Sequence, residues 1–295
     1  MARRFSLIGL VLALLTLCAC GASRENAYNA KPSAAVATAS AAAEVDIEAR
    51  AKEAWSRRED GAQLRTALGL YKKIAMAQPS RRDVLTLLSR GYYLLAIGHL
   101  EGEDQVLKAL DTGAKWGERI LGLRAEFIKC IADGAKDHEC LQHTKKEDVP
   151  GIYWAYANLG RWSVLKGFTT VLANKSKLKN FVDAAARLDP DYYYGAADRG
   201  LGAFYAKAPS FAGGYLDKSD AHFKKSLKVA PNYLGTRVLM AEYWAVKKQD
   251  KALFKKLLGE VIAADTAVEP DIVPIQKIEQ RKAKKLLEQA DDLFE

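Results

Sequence analysis

Two groups of aromatic residues that each contain an arginine have the residue types needed to bind an organic anion. Their members are Tyr153, Trp154, Arg161 and Trp162 in the first group, and Tyr192, Tyr193, Tyr194 and Arg199 in the second. An aromatic side chain offers apolar area with a polar tip, and a guanidinium can hold a carboxylate through two parallel hydrogen bonds. The same residue types also serve as wedges between stacked helices, so both the binding role and the packing role stay open.

The cysteine pair Cys130 and Cys140 is the second candidate for chemistry. The two residues lie ten positions apart across Gly134, and His138 and His143 are close by in the sequence. A disulfide, two free thiols and a zinc site are the three alternatives. Neither the cysteine spacing nor the histidine spacing is usual for a zinc finger, and an exported thiol pair is readily oxidised. We therefore favour the disulfide and expect no metal.

Familiar catalytic motifs are missing from the chain. No segment reads Gly-x-x-x-x-Gly-Lys or Gly-x-Ser-x-Gly, and none of the four histidines adjoins a serine or cysteine in a nucleophilic arrangement. The acidic cluster Glu101, Glu103 and Asp104 follows a turn and favours a helix start, where carboxylates stabilise the positive end of the helix dipole. The sequence therefore predicts a protein that is not an enzyme and has no cofactor.

The first nineteen residues have the pattern of an export signal. Arg3 and Arg4 precede an apolar run at residues 5–17, which is too short to span a bilayer. Leu17-Cys18-Ala19-Cys20 resembles the bacterial lipobox, and an ordinary cleaved signal is the alternative. We predict a signal peptide at residues 1–19, lipidation of Cys20 and attachment to the membrane through that lipid anchor. Glycine at position 21, in place of aspartate, favours the outer membrane.

Composition divides the remainder of the chain into two parts. Residues 20–44 are rich in Ala, Ser, Asn and Thr, so we expect a flexible, lipid-anchored tether that does not pack on the core. The folded body is then residues 45–295. The formal charge of the whole chain is +9, and loss of Arg3 and Arg4 with the signal leaves +7. Export argues against nucleic acid as a partner, whereas an anionic ligand, an acidic protein or a phospholipid surface stays open.

Apolar residues recur at three- and four-residue spacing throughout residues 45–295, which predicts an all-α body. Prolines and glycines divide it into segments of ordinary helix length. Before Pro231, the order Leu201-Gly202, Tyr205, Ser219 and Phe223 matches a tetratricopeptide repeat with an inserted loop at residues 208–214. Other copies are partial, so we predict a tetratricopeptide-like solenoid of helical hairpins with irregular, degenerate repeats.

Several longer segments of the chain resemble one known family. They are Glu147-Asp-Val-Pro150-Gly-Ile-Tyr153-Trp154-Ala, Gly160-Arg161-Trp162, Gly195-Ala-Ala-Asp-Arg199-Gly-Leu-Gly202, Ala221-His-Phe223, Pro231-Asn-Tyr233, Ala241-Glu242-Tyr243, Phe254-Lys-Lys-Leu-Leu258, Lys282-Ala283-Lys-Lys-Leu-Leu287 and Asp292-Leu-Phe294. With these segments the chain, over about residues 50 to 295, resembles the T-component family of tripartite ATP-independent periplasmic (TRAP) transporters. The resemblance implies a periplasm-facing outer-membrane lipoprotein with a tetratricopeptide-like fold, assembly as a homotrimer, and cooperation with the substrate-binding P component of a TRAP system. The implied ligand is an organic acid or a hydrophobic molecule.

Two functions from different classes follow from these observations. A ligand-handling component of an uptake system needs an apolar channel lined from more than one part of the helical body. A structural adaptor that only scaffolds other envelope proteins would instead have a filled, polar concave face. The loop at residues 209–214, with Phe211 expected to be exposed at its tip, is the predicted contact for a partner or a second subunit.

Overall fold

The computed structural model describes residues 24–29 and 41–294, and these residues form helices and connecting turns without a β-strand. The all-α prediction is therefore confirmed for the described part of the chain. The longer helices are α1 Ala41–Ser56, α2 Gly61–Ala77, α3 Arg82–Gly98, α4 Glu103–Leu121, α5 Ala125–Ala132, α6 Val149–Lys166, α7 Phe168–Leu188, α8 Tyr192–Lys207 and α9 Leu216–Val229. The C-terminal helices are α10 Leu234–Leu239, α11 Val246–Lys248, α12 Lys251–Ala263, α13 Val273–Glu288 and α14 Ala290–Leu293. A π-helical segment, Met240–Ala245, joins α10 to α11, and short 3₁₀ turns occupy Cys140–His143, Lys146–Asp148, Ser210–Ala212, Thr266–Val268 and Pro270–Ile272.

Local signals set several helix ends. The Asp60 carboxylate caps α2 by accepting hydrogen bonds from the backbone N–H groups of Ala62 at 2.7 Å and Gln63 at 3.1 Å. Pro150 and Pro274 stand in the first turns of α6 and α13, where a missing N–H costs no helical hydrogen bond. These ends place successive helices as antiparallel neighbours joined by short turns.

Glycine lets the two central helices approach each other closely. A Cβ added to Gly117 of α4 would lie 2.7 Å from the backbone nitrogen of Ala155, and one added to Gly151 of α6 would lie 2.9 Å from the Gly117 carbonyl oxygen. Any larger residue would push α4 and α6 apart, because backbone atoms cannot move aside as a flexible side chain can. This crossing holds α6, which carries the first aromatic group, at the centre of the molecule.

The C-terminal helix α13 packs back onto the N-terminal hairpins. Ile275 and Ile278 are fully buried in the same apolar cluster as Leu64, Leu85 and Leu88 from α2 and α3. The consecutive helix pairs α1–α2, α3–α4, α6–α7 and α8–α9 also pack on each other. The chain of hairpins is therefore closed by contact between its two ends. The tetratricopeptide character of the individual hairpins stays a prediction.

Residues 24–29 pack on the body, so the prediction of a tether without core contacts is wrong for this segment. The Arg24 guanidinium donates to both carboxylate oxygens of Glu118, at 2.7 and 2.8 Å, and forms an ion pair with Asp111 at 2.6 Å. Tyr28 is 4 % exposed and its ring meets Phe127 edge to face. Average composition did not predict this docking, because two residues, Arg24 and Tyr28, make the contacts just described. The buried Glu118 carboxylate needs a cationic partner, and Arg24 supplies one. The predicted lipidation site Cys20 and residues 30–40 lie outside the described residues.

Cys130 and Cys140 form a disulfide in the structure, with their Cα atoms 5.7 Å apart. The bond ties α5 to the 3₁₀ turn that follows it. Asp137, between the two cysteines, accepts a hydrogen bond from the Tyr28 hydroxyl at 2.7 Å and pairs with Lys177 of α7 at 2.7 Å. The bridged loop therefore holds the docked N-terminal segment. In the described part of the chain, no helix combines the length and the apolar character needed to cross a bilayer.

Candidate functional site

An apolar pocket opens between α6, α7 and α8, and it is the main candidate for a binding site. Its aliphatic walls come from Val164 of α6, Val171, Leu172 and Leu178 of α7, and Leu239 of α10. The pocket contains about 820 Å³ of empty space, including the solvent at its open mouth. A cleft lined mainly by carbon atoms suits the apolar part of an organic ligand.

Small residues on the facing helices make room for the pocket. Ala157 and Gly160 line it from α6, and Gly200 and Ala203 line it from α8. A Cβ added to Gly160 would meet only Leu178, at an ordinary contact distance of 3.6 Å. The space between these helices is therefore left by missing side chains, so a larger residue at Gly160 would project into the pocket.

A charged network forms one wall of the pocket. Arg161 contacts the Glu242 carboxylate, and it also donates a hydrogen bond to the Tyr243 hydroxyl at 2.7 Å. The second carboxylate oxygen of Glu242 pairs with Lys282 of α13 at 2.5 Å. Burial alone raises the pKa of Glu242, but the two cations outweigh burial and lower the pKa to about 2. Arg161 is thus neutralised by its own partner and is not available as a free anion receptor.

Two lysines line the same pocket without a carboxylate partner among the described residues. They are Lys175 of α7 and Lys207 of α8. Lys207 is exposed as a whole residue, yet its amine lies 4.8 Å from the centre of the Tyr243 ring. The loss of solvent around this amine lowers the pKa of Lys207. The charge of the nearby Glu242 carboxylate opposes this shift, but neither lysine forms an ion pair with a described residue, so both amines place positive charge beside an apolar space.

The first predicted aromatic group is divided between the pocket and the core. Tyr153 and Arg161 line the pocket, as the binding interpretation requires. Trp154 and Trp162 are only 3 % and 7 % exposed and do not line it. The Trp154 indole N–H donates to the Tyr192 hydroxyl at 3.0 Å. The two tryptophans therefore act as wedges between helices, which is the packing role that the sequence left open.

The second predicted aromatic group forms an unusual backbone turn. Tyr193, Tyr194 and Gly195 at the start of α8 all have positive φ angles, of 44°, 59° and 67°. Left-handed backbone costs about 1 kcal/mol or more for a residue with a side chain, so the turn needs external support. Arg199, which is 2 % exposed, donates to the carbonyl oxygens of Tyr194 at 2.9 Å and Tyr193 at 3.3 Å. Its donors hold the turn and do not face the pocket.

An exposed apolar patch adjoins the pocket mouth. Phe211 is 75 % exposed, and its ring lies 6.3 Å from that of Phe168, which is 57 % exposed. Leu172, which is 42 % exposed, belongs both to this patch and to the pocket lining. We call Phe168, Leu172 and Phe211 the mouth patch. Three large apolar side chains at one opening are typical of a surface that another molecule covers.

Sequence reasoning missed several residues of the site. Tyr93 of α3, Tyr156 of α6 and Tyr243 of the π-helical segment line the pocket but belong to neither predicted group. The sequence contained a weak signal for this site, because Glu242 and Tyr243 are polar residues within the otherwise apolar run at residues 238–246. No group of three or more His, Cys, Asp or Glu residues is placed to hold a metal ion within the described residues.

A family model described as TRAP transporter T-component matches residues 61–294, which include every residue lining the pocket. No curated protein matches the chain. Because the matched region covers most of the chain, the protein belongs to the TRAP transporter T-component family.

Proposed function

We propose that this protein is the ligand-binding accessory component of a TRAP-type uptake system, facing the periplasm from a lipid anchor at Cys20 in the outer membrane. Membership of the T-component family gives the coarser role, which is that of a transporter accessory protein associated with the cell envelope, in a family not known for enzymes. The apolar pocket between α6, α7 and α8 is the single observation that carries the ligand-binding part of the proposal.

The lining favours an organic anion with an apolar body. Aliphatic and aromatic walls favour hydrocarbon, because removal of apolar surface from water contributes about 25 cal/mol per Å². Lys175 and Lys207 offer the charge for a carboxylate, since neither amine forms an ion pair with an acidic side chain among the described residues. A structural adaptor without a ligand would instead have a filled, polar face, so the apolar lining supports the first of the two functions.

Binding to the pocket is tested with a matched pair of glycine variants. In Gly160→Leu the new side chain enters the pocket, whereas in Gly69→Leu it enters open space on α2, where an added Cβ meets nothing within 4 Å. The probe is a dansyl-labelled fatty acid, whose fluorescence increases in an apolar site. We expect saturable binding to the wild type and to Gly69→Leu, and binding weakened by about tenfold or more in Gly160→Leu. Equal binding by the two variants would place the ligand elsewhere.

The mouth patch is proposed as the contact for a substrate-binding P component or for a second subunit. Phe211→Asp puts a charge in the patch, and Val268→Asp puts one at another apolar side chain, 56 % exposed, that does not line the pocket. We expect cross-linking and affinity purification from membranes to recover a P component with the wild type and with Val268→Asp, but not with Phe211→Asp. Native mass spectrometry of the delipidated body reports the subunit number, for which we propose three. Recovery with Phe211→Asp at the wild-type level would remove the patch from the interface.

The lipid anchor is tested by the two N-terminal cysteines. We expect Cys20→Ser to abolish metabolic labelling with palmitate and to release the protein from the outer-membrane fraction. Cys18→Ser is the matched control, because the signal peptidase is proposed to remove this residue with the signal peptide. Labelling of the Cys20→Ser protein would show that another residue carries the lipid.

A further inference from the structure

Two arginines that form no ion pair with a described carboxylate lie together on the aromatic interior, outside the pocket. The guanidinium carbon of Arg58 lies 5.1 Å from the centre of the Trp55 ring, and that of Arg90 lies 5.5 Å from the same centre. Arg90 also lies over the Tyr193 ring at 4.6 Å. Neither arginine lines the pocket. Two cations thus share one aromatic ring at the junction of α1, α3 and the left-handed turn of α8.

The hydrogen-bonding capacity of this cluster is largely unused. Three of its polar atoms are buried without a partner: Arg58 Nε, Arg90 Nε and the Tyr193 hydroxyl oxygen. Arg58 donates to two backbone carbonyls and to no other described group; the carbonyls are those of Trp55 at 3.0 Å and Asp271 at 3.3 Å. Within the described residues, Arg90 makes no hydrogen bond, and no carboxylate forms an ion pair with either guanidinium. Buried donors that lack a partner are costly, so their persistence points to an absent acceptor.

The charges of the cluster also favour an anionic ligand. Burial is the main cause that lowers the pKa of Arg58, to about 10, and the nearby charge of Arg90 lowers it further. Two like charges that repel each other in a partly dry site attract an anion, since the anion removes the repulsion and supplies acceptors. The surrounding rings exclude water and strengthen that attraction.

We propose that Arg58 and Arg90 form an oxyanion-binding site that takes a carboxylate or a phosphate group. The two oxygens of such a group match the paired donors of a guanidinium, and the Tyr193 hydroxyl supplies a further donor. This site is tested with other ligands and other variants than the pocket. Failure of the arginine site to bind an anion can therefore be distinguished from failure of the pocket to bind the fatty acid.

The chain offers a closely matched control for the decisive variant. Arg119 also lies over a tryptophan, 4.4 Å from the Trp116 ring centre, and its side chain makes no hydrogen bond or ion pair among the described residues. It differs from Arg90 in lacking a second arginine on the same ring and a buried, unpartnered Nε. Arg90→Gln and Arg119→Gln thus remove equal charges from two similar aromatic contacts, of which only one belongs to the proposed site.

The test measures binding of sodium phosphate and of sodium benzoate by isothermal titration calorimetry, at constant ionic strength maintained with chloride. We expect saturable binding of at least one anion to the wild type and to Arg119→Gln, and binding about tenfold weaker in Arg90→Gln. Tighter binding of benzoate assigns the site to carboxylates, and tighter binding of phosphate assigns it to phosphate groups. Arg90→Lys keeps the charge without the fork of donors, and it replaces Arg90→Gln if the glutamine variant does not fold; weaker binding is expected there too. Absence of saturable binding to the wild type, or equal losses in the Arg90 and Arg119 variants, would overturn the proposal.

Discussion

The Glu242 carboxylate stands between two cations in the pocket wall, and Glu242→Gln tests how much that ion network stabilises the fold. The side chain of Glu242 is only 12 % exposed, and Arg161 and Lys282 lower its pKa from 4.5 to about 2 against the opposing effect of burial. The carboxylate is therefore held in its charged form by contacts that only the folded chain provides. Glutamine keeps the size of the side chain but removes the charge, which leaves both cations without their partner.

The lowered pKa determines both the size and the sign of the effect. Because the folded pKa lies below the unfolded value, the contribution of Glu242 to stability is fully present above pH 4.5 and is lost as the pH falls through about 2. The shift corresponds to about 3 kcal/mol of unfolding free energy at neutral pH. The loss expected when one partner of a buried ion pair is removed is also about 3 kcal/mol or somewhat more.

The assay is urea unfolding of wild type and Glu242→Gln across a pH series, with thermal unfolding as a second measure. At pH 7 we expect the variant to be less stable by about 3 kcal/mol, or about 6 to 12 °C in Tm for a domain of this size. The difference between the two proteins should narrow by about 2 kcal/mol between pH 7 and pH 3, because Glu242 takes up a proton in the unfolded wild type at a pH where the folded protein still holds it charged.

A surface carboxylate provides the control. Glu260, which is 44 % exposed, pairs with Arg237 at 3.2 Å, and Glu260→Gln should change the unfolding free energy by less than about 1 kcal/mol at neutral pH. A difference in unfolding free energy between wild type and Glu242→Gln that stays constant from neutral to acidic pH would contradict this stabilising role of the Glu242 charge. Equal losses of stability in the Glu242 and Glu260 variants would contradict it as well.

Three further changes probe other parts of the fold. Replacement of Cys130 and Cys140 by serine removes a cross-link between residues ten positions apart, and denaturant titration should show a free energy of unfolding lower by about 2 to 3 kcal/mol. An unchanged free energy of unfolding would contradict the disulfide. Arg24→Ala leaves Lys177 as the one cation paired with the buried Glu118 among the described residues, so the free energy of unfolding should fall by about 2 kcal/mol and protease should cut residues 24–29 faster than in the wild type. Burial raises the pKa of Glu279, so its contribution to stability is present below the unfolded pKa of about 4.5 and falls as the pH rises through the folded value. Glu279→Gln should therefore flatten the decline of stability at rising pH in urea titrations, and an unchanged slope would argue against that charge effect.

Local sequence information was enough to predict the helical body. Apolar spacing of three and four residues, with breaks at prolines such as Pro150 and Pro231, led to the all-α prediction that the structure confirms. Such signals act over one or two helical turns, so they can be read without knowing the remainder of the chain. The grouping of aromatic residues with arginine also predicted Tyr153 and Arg161 as binding residues; both line the pocket, and their role in binding stays a prediction.

The tertiary structure alone decided which of these residues face empty space and which are packed. Arg161 meets Glu242, 81 residues away, and Arg24 meets Glu118, 94 residues away, and no local pattern connects either pair. No local pattern predicted the position of Trp154 either. A tryptophan is a common ligand contact, but Trp154 is buried between helices. Helix periodicity determines which face of each helix is apolar. The crossing of distant helices determines whether two such faces meet in contact or leave a cavity, because that depends on side-chain volumes contributed from several parts of the chain at once.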